Sequence, residues 1–166
     1  IAYAGGLVGM GSFENVAVTD SLNKIHAVIA AKGSGDGVVA AGGEFGLAQN
    51  AKSMRFANET IDARLVAAGS RRQRLGGVIG DVQGIPSDAP TIVRSDVNAS
   101  IASSGTDEIE VAMGGLVASA ATTSGGTYYG IVYADSGSVT VSMEAASPGT
   151  VYAGGCKGVH LPRTEG

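Results

Sequence analysis

The run "TIVRSDVNASIASSG", residues 91–105, constrains the fold more than any other stretch. Val93, Ser95, Val97, Ala99 and Ile101 fall on one parity, and Arg94, Asp96, Asn98 and Ser100 on the other. Side chains alternate faces along a strand, so this run reads as a half-buried strand with its apolar face inward. "DEIEVAMGG" repeats the pattern, with Ile109, Val111 and Met113 in and Glu108 and Glu110 out. "GSVTVSME" does so again, with Val139, Val141 and Met143 in and Thr140, Ser142 and Glu144 out. "GLVASAATT" and "TYYGIVYAD" read as further strands. Ser104-Gly105, Gly114-Gly115, Ser124-Gly125-Gly126, Ser136-Gly137 and Pro148-Gly149 punctuate the runs with turn chemistry. Short strands about ten residues apart predict a mainly β fold, an antiparallel β-sandwich or barrel of jelly-roll or Greek-key type.

The first half is less regular. "NVAVTD" and "KIHAVIAAK" read as strands, and "NETIDARLVAAG" as one short helix near 58–68. Asn58 is the candidate N-cap, Glu59 and Asp62 occupy the first turn, and Gly69 is the stop. Ile61, Leu65 and Ala68 form its apolar face. No internal repeat stands out. The chain reads as a single domain over 1–166, divisible into an irregular 1–88 with the helix and a regular antiparallel 90–155.

Composition bears on how such a core is built. The 166 residues include 27 glycines, no Trp, three Phe and five Tyr. Large aromatics dominate most cores; a Gly-, Ala- and Ser-rich chain gains less from its interior and is expected to bury surface against other copies of itself. The net charge of −4 predicts no bulk attraction to nucleic acid or to an anionic membrane. A lone cysteine, Cys156, forms no intrachain disulfide. No apolar run approaches the roughly 20 residues of a spanning helix. The apolar opening "IAYAGGLVGMGS" lacks a basic n-region and is read as neither signal nor anchor.

Several segments suggest chemistry, and each lacks a required part. "AAKGSGDGVVAAGG", residues 30–43, begins like a dinucleotide loop at Gly33 and Gly35 but has Val38 at the third position. It lacks the Gly-Lys-Ser/Thr of a P-loop and the ligand set of a calcium loop. It reads as a hairpin tip in which Lys32, Ser34 and Asp36 are a candidate inter-subunit contact. Lys52, Arg55, Arg64, Arg71, Arg72 and Arg74 hold six of the eleven cations. They are read as a solvated or subunit-contacting patch, and as the one local place where nucleic acid is conceivable. "ADSGS", residues 134–138, lacks the glycine of a serine-nucleophile segment, and no elbow motif occurs. Cys156 and His160 are too few for a metal site. Glu108 and Glu110 read as strand-surface charge. Asn58 and Asn98 begin glycosylation sequons.

No catalytic residues, cofactor or metal are therefore assigned. The expected function is a non-enzymatic structural subunit of a repetitive assembly, a viral or phage capsid or capsid-decoration protein. Its partners would be copies of itself and other shell proteins, with no membrane, in a virion or extracellular assembly. The alternative is a secreted or surface β-module: a filament or pilin-like subunit, an adhesin, or a carbohydrate-binding domain using Tyr128, Tyr129 and Tyr133.

Overall fold

The computed structural model of the chain describes residues 1–14, 16–84, 91–105, 109–121, 132–134, 137–146 and 149–161. The first coil holds β1 (Ala2–Gly5), β2 (Val8–Ser12), β3 (Ala17–Ser21) and the long β4 (Lys24–Gly42). The second holds β5 (Phe45–Gln49), β6 (Ser53–Ala57) and the long β7 (Thr60–Gly76). The third holds β8 (Ile79–Gln83), β9 (Thr91–Val93), β10 (Asp96–Ser104) and β11 (Ile109–Gly114). Then follow β12 (Val117–Ala121), β13 (Val132–Ala134), β14 (Ser138–Ala146), β15 (Gly149–Gly154) and β16 (Lys157–Leu161).

Every strand pairing among the described residues is parallel. The strands form three sheets that climb together: β1-β4-β7-β10-β14 with β11 and β15, β2-β5-β8-β12-β16, and β3-β6-β9-β13. The chain is a parallel β-solenoid. The expected antiparallel sandwich or barrel is wrong, and so is the unrepeated reading of the sequence. Lys24 lies opposite Thr60, Thr60 opposite Asp96, and Asp96 opposite Ser138, so one coil spans about 36 to 42 residues.

The error has a physical cause. Period-two alternation reports that one sheet face is buried and the other wet; it does not report strand direction. Parallel sheets are usually covered on both faces, but a solenoid sheet has the core on one side and water on the other. The inward columns are Ile25–Ile61–Val97–Val139, Ala27–Ala63–Ala99–Val141 and Ile29–Leu65–Ile101–Met143. Small side chains suffice because each packs on its own counterpart a rung away.

The helix near 58–68 is absent; these residues lead into and form part of β7. Ile61, Ala63, Leu65 and Ala67 are all buried, which is period two, while Ile61 and Leu65 alone also satisfy a helical spacing. The two alanines carried the deciding signal and are weak markers of burial. Asn58 is no N-cap: it turns a corner with φ 59°, as do Leu22 at 66° and Arg94 at 49° in the coils before and after. Nor does the chain reverse at residues 30–43. β4 runs straight through to Gly42, bulging at Gly35, and pairs with β7 on both sides of the bulge.

The coil closes at a glycine pair that recurs at 5–6, 42–43, 76–77, 114–115 and 154–155. The next residue's carbonyl accepts two amide protons from the coil before: Glu44 O from Leu7 and Val8, Val78 O from Glu44 and Phe45, Leu116 O from Val78 and Ile79. A Cβ on Gly43 would overlap the Gly77 carbonyl oxygen, and one on Gly77 the Gly115 oxygen. These glycines stack backbone on backbone.

Candidate functional surface

The widest outward face is formed by residues 24–32 of β4, 60–68 of β7, β10 and β14. Its rungs are tied by polar side chains. His26 Nδ1 lies 2.9 Å from Asp62 Oδ2, Asn98 Nδ2 donates to Asp62 Oδ1 at 3.1 Å, and Ser138 Oγ donates to Asp96 Oδ1 at 2.8 Å. Parallel stacking in register puts residues from three coils into one line. A shallow trough of about 490 Å³ runs across this face beside Arg64.

At the bulge, Lys32, Ser34 and Asp36 are exposed. Asp36 is a clamp on the neighbouring coil: Arg71 Nη1 donates to its carboxylate at 2.8 Å and Arg72 Nη2 to its carbonyl at 2.6 Å. The Ser70 hydroxyl donates to the Gly37 carbonyl across the same step.

The six basic residues do not form one patch. Lys52 and Arg55 lie before and on β6, exposed, and Arg64 faces out of β7. Arg71 and Arg72 flank the bulge. Arg74 is 5% exposed and forms an ion pair with Glu110, which shields it from any ligand. Of the sequons, Asn58 is an exposed corner and Asn98 an exposed strand residue. Glu108, Tyr128, Tyr129, Asp135 and Ser136 lie outside the described residues. Tyr133 lies on β13 and His160 on β16; Cys156 is exposed.

The reading of the sequence missed the interior polar groups. Gln73 is buried and fully bonded: its amide donates to the carbonyls of Ser70 and Ser104, and its oxygen accepts from Ser103 Oγ at 2.8 Å. The acids fare worse. Glu44 is wholly buried, with neither carboxylate oxygen hydrogen-bonded. Burial first, and then the nearby charges of Glu59 and Asp20, push its pKa up to about 8. Glu59 accepts from the Asn23 amide at 2.9 Å, yet Oε1 is unpartnered, and burial raises its pKa. Asp81, on β8, is likewise raised by burial against bonds from Gln83 and Ser119 that lower it. One sequence signal did exist: Glu44 follows a glycine pair where the other coils place Leu7, Val78, Leu116 and Cys156.

Among the described residues, no group of three or more His, Cys, Asp or Glu is arranged to hold a metal ion. Among the described residues, no hydroxyl is bonded to the His26–Asp62 pair. The wide face presents polar side chains stacked in register on a sheet. No family model, curated protein or solved structure matches the chain.

Proposed function

We propose that the chain is a non-enzymatic structural module of a repetitive assembly, and that the assembly is an elongated one on a surface or filament. The observation that carries this reading is where the exposed apolar side chains lie. Among the described residues, Ile1, Leu7, Met10, Val16, Leu22 and Val28 belong to the first coil, and Val151 and Tyr152 to β15. The middle coils have none. β1, β2 and β3 each pair on one side only, as do β13, β14 and β16. Unpaired parallel edges beside apolar side chains invite another strand.

The two ends also match. A next copy set on β14 in the same register would bring Ile25, Ala27 and Ile29 onto Val139, Val141 and Met143, and Lys32 close to Glu144. A solenoid grows along one axis, which favours a rod-like surface or filament module over a closed shell; one motive of the capsid reading was the sandwich pattern. Native mass spectrometry and negative-stain electron microscopy of residues 1–166 test the proposal. The expected result is concentration-dependent end-to-end oligomers that Val16→Lys with Leu22→Lys abolishes while the chain stays folded. A wild-type chain that remains monomeric across the range contradicts it.

A further inference from the structure

We propose that the trough on the wide outward face binds a carboxylate-bearing glycan. Arg64 supplies the anion contact. Its side chain is exposed on the second rung, and it has no hydrogen-bond or ion-pair partner among the described residues. A guanidinium fork left free beside a groove fits a carboxylate through two parallel hydrogen bonds. The acidic neighbour Asp62 is bonded to His26 and Asn98 and not to Arg64.

The rest of the trough adds hydrogen-bonding side chains among small apolar ones. Ser100, Thr140 and Ser142 point outward on the third and fourth rungs, and none of their hydroxyls has a partner among the described residues. Asn98 keeps its amide oxygen free. Neighbouring rungs stand about 4.8 Å apart and same-face residues along a strand about 6.7 Å apart, so the donors and acceptors form a fixed grid. The trough volume of about 490 Å³ lies in the range of small-ligand sites. No Phe, Tyr or Trp lines it, and its one ring is the His26 imidazole bonded to Asp62, so a neutral sugar would lack the broad apolar platform it usually takes. An acidic sugar replaces that contact with charge. A peptide with acidic side chains is the competing occupant, since Val28 gives it one exposed apolar contact beside Arg64.

Titration calorimetry with a galacturonate hexamer tests the proposal, with maltohexaose and hexaglutamate as comparison probes. The expected result is measurable binding of the galacturonate, at least about tenfold weaker binding of both comparison probes, and a loss of about tenfold or more on Arg64→Ala. Asn98→Ala and Ser142→Ala are each expected to weaken binding a few-fold. Arg64 is solvent-facing, so its variant should melt with wild type, which separates lost recognition from lost fold. No binding of galacturonate at millimolar concentration, or binding unchanged by Arg64→Ala, overturns the proposal. Equal binding of hexaglutamate overturns it in favour of an acidic peptide.

Discussion

Replacing Glu44 with Leu is expected to stabilise this protein far more at pH 9 than at pH 5. Glu44 occupies a column filled by Leu7, Val78 and Leu116 in other coils, and both its oxygens lack partners. Below about pH 4.5 the carboxyl is protonated in folded and unfolded chains alike, and its cost is smallest. Between the ordinary 4.5 and about 8 the unfolded chain releases the proton while the folded chain keeps it. Stability therefore falls by about 1.4 kcal/mol per pH unit in this window and is lost fully as pH rises past 8, roughly 5 kcal/mol in total. Glu59 and Asp81, whose pKa values are also raised, act in the same direction. For a chain of this length the gain in melting temperature from Glu44→Leu should be about 10 °C larger at pH 9 than at pH 5. Glu44→Gln keeps the shape and removes only the charge, so it should change little at pH 5 and recover most of the gain at pH 9. Gains equal at the two pH values for both variants would show that Glu44 is not buried as a neutral acid.

The second large effect falls on the glycine stack. Gly77→Ala is expected to cost more than about 4 kcal/mol, far above the usual half to one kcal/mol between these residues. The new methyl would overlap the Gly115 carbonyl oxygen and come within 2.9 Å of the inward Val97. Relief would require parting two coils along the ladder. Gly155→Ala is the matched control, since a Cβ there meets nothing within 4 Å among the described residues. Its urea midpoint should stay near wild type. A Gly77→Ala midpoint as high as that of Gly155→Ala would contradict the stacking.

What the sequence revealed, and what it hid, follows from the same packing. The strands at 96–104 and 138–146 were legible because each has one wetter and one drier face, and 109–114 because Glu110 interrupts its apolar run, although Ala112 on the same parity is buried. Their direction was not, since corners between sheets use the same glycines and serines as hairpin turns. The repeat was hidden because the corner motif is only a glycine pair, followed by two apolar residues in three of its five copies, and it recurs at uneven spacing. The columns repeat only in part, Ile25 on Ile61 and Ala27 on Ala63 on Ala99 but Leu65 between Ile29 and Ile101, which is a weak signal among so many small apolar residues. On the surface, Arg64 was marked as part of a sequence cluster, but its setting depends on Ser100 and Ser142, one and two coils away. Arg74 was marked with it and proved to be interior. Glu44 carried a signal visible only once the five corners were superposed.

Disulfide trapping of stacked positions tests the parallel, in-register coil most directly. In a Cys156→Ser background, Arg64→Cys with Ser100→Cys places two thiols on adjacent rungs, at a backbone separation of about 4.8 Å that a disulfide spans. Arg64→Cys with Ser142→Cys places them two rungs apart, at roughly 9.6 Å, beyond that reach. The solenoid requires rapid intrachain cross-linking of the first pair under mild oxidation and none of the second. A first pair that stays reduced, or cross-links no faster than the second, would contradict it.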